Sequence, residues 1–222
     1  MNKRNYQREL DSLLEALPSS PLPRLLLHAC CAPCSSYVLE YLSRYFDITL
    51  LFYNPNIFPS EEYEKRYAEL ERLVQELPHP NPISFAVCSY DPDAFFSAVR
   101  GMESFPEGGA RCAVCYRLRL TEAAKAAKDG GFDYFTTTLS ISPMKDAEKL
   151  NAIGAELAKQ YGVAYLFSDF KKREGYKRSI TLSQEYGLYR QNYCGCIFSR
   201  AEAEKRISRQ QETINTAQAN LK

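Results

Sequence analysis

The most constraining feature of this sequence is a short apolar segment that runs directly into a cluster of cysteines. Three consecutive leucines, Leu25 to Leu27, predict a buried strand. One histidine and three cysteines follow within seven residues: His28, Cys30, Cys31 and Cys34. A helical pattern then begins at about residue 35. Open α/β folds bind ligands where a strand gives way to a helix, so we expect a functional site that carries thiols at this strand end.

Strands alternate with helices five times along the chain. The predicted strands cover residues 24–29, 47–53, 83–89, 133–139 and 163–167. The predicted helices cover residues 5–17, 35–45, 61–77 (with Ser60 as N-cap), 91–99, 111–128, 146–161 and 179–186, with a last helix from about residue 199. This alternation predicts a doubly wound α/β fold with a parallel sheet of about five strands. We expect one domain over residues 1–222, with a core at about 24–168 and a C-terminal helical and loop cap at about 169–222.

Composition narrows the classes of function that the chain can serve. The net charge of +1 excludes a globally basic nucleic-acid binder, although it allows a local basic patch. Met1 to Asp11 is charged and lacks the apolar segment of a signal peptide, and no stretch has the length of a membrane span. We therefore expect a cytoplasmic protein without membrane contact. In a reducing compartment the eight cysteines are expected to bind metal or to be redox catalysts rather than to form structural disulfides.

Two cysteine clusters have spacings that suit a metal centre. Cys30 and Cys31 would face opposite sides of a strand, so both reach one site only if the backbone turns there, and Pro33 favours a turn. Cys112 and Cys115 form a CxxC pair at the start of a predicted helix, where the helix dipole lowers thiol pKa values and favours the thiolates that bind metals. Together the clusters supply the four thiolates that a tetrahedral zinc or a 4Fe–4S cluster needs. The alternative for the first cluster is one buried structural cysteine with two bystanders.

A third pair, Cys194 and Cys196, flanks a single glycine. Gly195 eases the backbone strain of a very small disulfide ring. Small strained disulfides are oxidising and labile, which suits catalysis or sensing better than stability. The alternative is that both cysteines are further metal ligands. Cys88 lies within the third predicted strand and is interpreted as a core cysteine.

Two other residues are candidates for the site. His28 is expected to orient a ligand or to carry a proton, and a core histidine with satisfied hydrogen bonds is the alternative. Asp91 follows the third strand, where ligand contacts are common, and a helix N-cap is the competing interpretation.

Positive charge and aromatic residues concentrate near the later cysteines. Residues 171–200 contain seven Lys or Arg against two Glu, and residues 111–128 contain five against one. Four tyrosines are interleaved in the first of these segments: Tyr176, Tyr186, Tyr189 and Tyr193. This combination suits looped or single-stranded RNA, in which phosphates pair with basic side chains and bases stack on aromatic rings. A solvated surface is the alternative.

Six motifs together make the chain resemble the QueH-type epoxyqueuosine reductases over about residues 24–200. They read LLLHACCAPCS, FYNPNIFP, RCAVCYRLRL, TTTLSISPMKD, SDFKKREGYKRS and LYRQNYCGC. The resemblance implies a fold similar to the adenine nucleotide α-hydrolase group. It also implies reduction of epoxyqueuosine to queuosine at the tRNA wobble position, with the anticodon loop of tRNA and an unidentified electron donor as partners. The implied cofactors are a 4Fe–4S cluster and an additional iron.

Roles for individual residues follow from the same resemblance. It assigns four cysteines to the cluster: Cys30, Cys31, Cys112 and Cys115. It assigns Cys194 and Cys196 to a redox-active pair, and Cys34 and Asp91 are our candidates for the second iron. Because removal of an epoxide oxygen takes two electrons and two protons, a nearby acid is also needed, and His28 and Asp91 are the candidates.

Three other functions are compatible with parts of the sequence. A zinc-stabilised RNA-binding module explains the CxxC pairs and the basic segment, but it does not explain the CGC motif. An adenylating tRNA-modifying enzyme needs a glycine-rich phosphate loop after the first strand, and the segment CCAPCSS contains no glycine. A protein thiol–disulfide oxidoreductase is the third alternative.

Overall fold

A computed structural model describes residues 4–219 of the chain, and the side chains of residues 4–212. Five strands form one all-parallel sheet in the order β3-β2-β1-β4-β5. The strands are β1 (Arg24–His28), β2 (Asp47–Leu51), β3 (Ile83–Phe85), β4 (Tyr134–Thr137) and β5 (Ala164–Tyr165). The helices are α1 (Tyr6–Ala16), α2 (Ala32–Leu42), α3 (Ser60–Glu76), α4 (Pro92–Ala98), α5 (Ala110–Asp129), α6 (Ala147–Tyr161), α7 (Gly175–Glu185) and α8 (Ile197–Ala219), and a 3₁₀ helix covers Thr138–Ile141. The predicted doubly wound α/β fold is confirmed.

Strand β1 separates two apolar clusters because its side chains alternate between the faces of the sheet. Leu25 and Leu27 pack into a cluster with α1, α2, α3 and α7, and Leu26 packs with Phe135 into a second cluster with α5 and α6. All three leucines are fully buried, and each contributes about 2 kcal/mol to stability on the usual scale for apolar burial. The triple leucine therefore places β1 at the centre of the fold.

The chain reverses its direction of winding between β1 and β4. Strands β2 and β3 lie on one side of β1, and β4 and β5 lie on the other. The register pairs His28 with Thr137, so the segments that follow these two strands leave the sheet side by side. Ligands of doubly wound folds bind at this switch point, beyond the carboxyl ends of the strands. The cysteine cluster after β1 therefore lies at the expected position for a site.

Several local predictions were wrong. Helix α2 begins three residues earlier than expected, with Cys31 as its N-cap, and Pro33 lies in its first turn instead of forming a separate turn. Proline is tolerated there because the N–H that it lacks has no helical partner. Pro59 rather than Ser60 is the N-cap of α3. Strand β3 ends at Phe85, which pairs with Leu50, instead of continuing to Ser89.

The C-terminal part of the chain contains α7 and α8. Helix α7 begins four residues earlier than predicted and packs against α2, the helix that follows the first cysteine cluster. Among the described residues, no helix is both long enough and apolar enough to cross a bilayer.

Candidate metal and redox site

Three thiols meet at the carboxyl end of β1. The sulfur atoms of Cys30, Cys31 and Cys34 all lie within 4.8 Å of one another. The Cys30 and Cys31 sulfurs are 3.8 Å apart. Two thiolates bound tetrahedrally to one metal by bonds of about 2.3 Å are separated by about 3.8 Å. The donor set and its spacing therefore fit a metal or iron–sulfur centre.

Hydrogen bonding makes the three thiols unequal. Bonds from Cys31 and Cys34 lower the pKa of Cys30 well below its usual value, and the charge of Arg119 and the Thr138 hydroxyl act in the same direction. The pKa of Cys31 is raised to about 12 mainly because its thiol donates to Cys30, and that of Cys34 is raised for the same reason. Ionisation is thus favoured at Cys30, and a bound cation would favour ionisation of the other two thiols.

His28 holds this strand end in place. Its Nε2 lies 3.0 Å from the carbonyl oxygen of Tyr53 and 3.4 Å from the Nε donor of Arg119. Its Nδ1 is hydrogen-bonded to the Thr137 hydroxyl at 2.9 Å. Burial, followed by the charge of Arg119, lowers its pKa to about 3. His28 is therefore a neutral side chain that connects β1 with β4 and with the segment after β2, which corresponds to the core-histidine alternative.

The second cysteine pair lies in the first two turns of α5. Cys112 and Cys115 are three residues apart and share one face of the helix. The Gly108 amide donates to the Cys112 sulfur at 3.2 Å, and burial raises the pKa of Cys115 to about 12. These thiols line a cavity of about 10 Å³ together with Cys194 and Cys196. The structure therefore brings the CxxC pair to the CGC pair.

Arg119 lies between the two groups of cysteines. It is 1% exposed and lies one helical turn after Cys115, whose sulfur is 4.0 Å from Arg119 Nη1. Its Nη2 donates to Asn54 Oδ1 at 2.5 Å, and Asn54 in turn donates to the carbonyl of Ala29 just before the first cluster. The guanidinium thus links α5 to the ends of β1 and β2.

The CGC loop depends on its glycine. Gly195 has φ of +122°, and a Cβ at this position would lie 2.9 Å from the Ile57 side chain and 3.1 Å from Arg66. Phe58 donates its amide to the Gly195 carbonyl at 3.0 Å, and Arg66 donates to the Cys194 carbonyl at 3.1 Å. Both cysteines are free thiols in this structure.

The two CGC thiols have different surroundings. The Cys194 sulfur accepts a hydrogen bond from Lys145 Nζ at 3.1 Å. Cys196 contacts Ser199 at 3.4 Å, and burial raises the pKa of its thiol. Cys194 lines both the small cavity and a larger one of about 230 Å³, whereas Cys196 lines only the small one. Cys194 is therefore the thiol of this pair that faces the larger cavity.

The larger cavity is strongly basic. The three thiols at the end of β1 line it together with Cys194, two tyrosines, one acidic residue and five basic residues. The tyrosines are Tyr176 and Tyr193, the acid is Glu107, and the basic residues are Arg66, Arg119, Lys145, Arg190 and Arg206. This lining can receive an anionic substrate beside a thiol-bound metal.

The remaining candidates lie outside both cavities. The Asp91 carboxylate is exposed and accepts from the Ala94 amide at 3.2 Å, so it caps α4 as the alternative interpretation holds. Cys88 lies beyond the end of β3 and is half-buried, and burial raises the pKa of its thiol. The sequence reasoning did not single out Lys145, Arg66 or Arg119. The one local signal in the sequence that could have pointed to any of them was the position of Arg119, four residues after Cys115 in a predicted helix.

Residues 25–202 match the family model described as "Epoxyqueuosine reductase QueH". Proteins named epoxyqueuosine reductase QueH are similar to this chain: one from Streptococcus pyogenes serotype M1 is 42% identical over 89% of this chain and 78% of its own length. The corresponding protein of Staphylococcus aureus is 41% identical over 89% and 84%, and that of Thermotoga maritima is 35% identical over 83% and 96%. A solved structure titled U34-tRNA thiolase NcsA from Methanococcus maripaludis with its [4Fe-4S] cluster has a TM-score of 0.48 at 13% identity over 94% of this chain and 73% of that chain, a likeness too weak to carry an argument.

Proposed function

This chain belongs to the epoxyqueuosine reductase QueH family, and we propose that it reduces epoxyqueuosine to queuosine at the wobble position of tRNA. Its activity is that of an oxidoreductase. The observation that carries the proposal is the cluster of three thiols at the end of β1, which opens into a basic cavity beside Cys194. Reductive chemistry on a polyanionic substrate requires thiol ligands for the metal centre, a further thiol and a cationic lining.

A 4Fe–4S cluster is the proposed cofactor, with Cys30, Cys31, Cys112 and Cys115 as its ligands. Such a cluster transfers electrons one at a time when it is bound. Arg119 favours this assignment because its buried positive charge is near both pairs and stabilises thiolates over thiols. Cys34, the remaining thiol of the first cluster, is the proposed ligand of an additional iron. Asp91 is a weaker candidate for that iron than the sequence suggested, because its carboxylate caps α4.

Cys194 and Cys196 are the proposed redox-active pair. Oxidation of two thiols to a disulfide releases two electrons and two protons. Conversion of an epoxide to an alkene and water consumes the same number of each. One turnover thus leaves a disulfide, which an unidentified electron donor must reduce before the next.

The cavity supports tRNA as the substrate class. The five basic side chains that line it suit phosphates, and Tyr176 and Tyr193 offer rings on which a base can stack. Enzymes that modify a base take it out of the stack, so we propose that the wobble nucleoside of the anticodon loop enters this cavity. Entry of the nucleoside would bring its epoxide to the side of Cys194.

Anaerobic assays test the proposal. The purified protein should be brown, contain iron and sulfide, and convert epoxyqueuosine in tRNA to queuosine as measured by nucleoside mass spectrometry. Serine substitution of Cys30, Cys31, Cys112 or Cys115 should lower iron content, whereas Cys194→Ser and Cys196→Ser should retain iron and lose turnover. A colourless zinc protein that binds tRNA without converting it would support the RNA-binding module instead.

A further inference from the structure

Lys145 is a buried cation at the boundary between the substrate cavity and the CGC loop. It lies just before α6 and is 7% exposed. Its Nζ is 3.1 Å from the Cys194 sulfur and 3.5 Å from a carboxylate oxygen of Glu107. Burial alone would lower the pKa of this amine, but the nearby Cys194, Tyr116 and Glu107 outweigh burial and raise it. The side chain is therefore an ammonium group that touches the cavity-facing thiol.

The other candidate acids are poorly placed for donation to a substrate in this cavity. His28 is enclosed by the Tyr53 carbonyl, the Thr137 hydroxyl and Arg119, and it is neutral because burial lowers its pKa to about 3. Asp91 caps α4 outside the cavity. The arginines that line the cavity stay protonated in proteins, so they bind anions without releasing a proton. Lys145 combines a transferable proton with direct contact to Cys194.

We propose that Lys145 is the catalytic acid that protonates the epoxide oxygen as it leaves. The inference rests on the proposed reductase function and adds a residue to it. Both C–O bonds of the epoxide break and a C=C bond forms, while the Cys194 and Cys196 thiols are oxidised to a disulfide with release of two electrons and two protons. Lys145 donates one proton to the oxygen and takes up the proton of the Cys194 thiol, and the Cys196 thiol supplies the other, so the oxygen leaves as water and Lys145 ends the step protonated.

The contact with Cys194 couples proton release to oxidation. The Lys145 Nζ is 3.1 Å from the Cys194 sulfur, so the proton that Cys194 loses on oxidation can pass directly to the amine. The same amine faces the cavity in which the epoxide is proposed to lie, so it can pass a proton to the leaving oxygen.

Chemical rescue of Lys145→Ala tests the role of this proton. Single-turnover reduction by the pre-reduced, iron-loaded enzyme is measured with tRNA that carries epoxyqueuosine. We expect a loss of at least about 100-fold in rate, the usual contribution of a general acid, and partial recovery with millimolar methylammonium but not with tetramethylammonium. Lys149→Ala is the matched control because Lys149 is a half-exposed lysine four residues later that pairs with Asp146, and its rate should equal that of the wild type.

Lys145→Arg separates charge from proton donation. It keeps a cation beside Cys194 but removes a usable proton, so we expect it to retain iron and tRNA binding and to lose rate as Lys145→Ala does. A Lys145→Arg enzyme with the wild-type rate would overturn the proposal. For an iron-loaded Lys145→Ala enzyme, three results would overturn it: no loss of rate, no rescue, or equal rescue by both ammonium ions. An inactive wild-type enzyme would refute the reductase function itself, which is a distinguishable result.

Discussion

Arg66 gives the sharpest stability prediction because one buried side chain joins α3 to the CGC loop. Its Nε donates to Glu62 at 2.7 Å, its Nη1 donates to the Cys194 carbonyl at 3.1 Å, and its guanidinium lies 5.1 Å from the centre of the Tyr193 ring. The side chain is 2% exposed. Arg66→Met keeps most of the apolar volume and removes all three interactions.

The cost of Arg66→Met can be worked out from these contacts. Removal of one partner of a buried ion pair costs about 3–5 kcal/mol. Glu62 keeps 13% exposure and a hydrogen bond from the Tyr189 hydroxyl at 3.2 Å, so the lower end applies. We expect about 3 kcal/mol, which lowers the melting temperature of a chain of this size by about 6–12 °C. Anaerobic thermal unfolding followed by circular dichroism measures the shift.

The control for Arg66→Met lies on the same helix. Arg72 pairs with Glu69 and Glu76, but its side chain is 37% exposed, so Arg72→Met should cost at most about 1 kcal/mol. Loss of the Cys194 contact should also speed alkylation of the CGC thiols by iodoacetamide in Arg66→Met and leave it unchanged in Arg72→Met. Equal melting temperatures for the two variants would refute the argument that burial makes the Arg66 contacts strong.

Two further predictions concern the acid side of the stability curve and the packing of α7. Because the pKa of His28 is lowered to about 3, the unfolded chain gains a proton below pH 6.5 that the folded chain does not, so stability falls as the pH falls. His28→Gln should remove about 2 kcal/mol of the stability that the wild type loses between pH 7.5 and 5. Urea denaturation at both pH values measures the loss, and equal losses in the two proteins would contradict the prediction. A Cβ at Gly175 would lie 2.0 Å from the Phe170 carbonyl, so Gly175→Ala should cost about 3 kcal/mol in thermal unfolding. Gly187→Ala, which meets no atom within 4 Å but has φ of +54°, should cost about 1 kcal/mol, and equal costs would show that packing at α7 is not the cause.

Sequence reasoning succeeded where the signal is local. The triple leucine at Leu25 to Leu27 was correctly placed in a strand, and a helix follows it as expected, although that helix begins three residues earlier than predicted. The ends of elements were less predictable because they depend on partners. Strand β3 stops where β2 no longer pairs with it, although the sequence to Ser89 remains suitable for a strand.

The polar contacts of the site were not predictable because they join distant parts of the chain. Lys145 reaches Cys194 across 49 residues and Arg66 reaches it across 128. In the sequence both are ordinary surface cations, and Arg66 even has the i, i+4 acidic partner that is typical of an exposed helix. Only the fold buries them, and burial changes their chemistry: an exposed lysine is a solvated charge, whereas a buried one needs an anion nearby. Glu107 provides that anion 3.5 Å from Lys145, and Glu62 provides it 2.7 Å from Arg66. Both cations also contact Cys194, so a change to either should alter the reactivity of this cysteine.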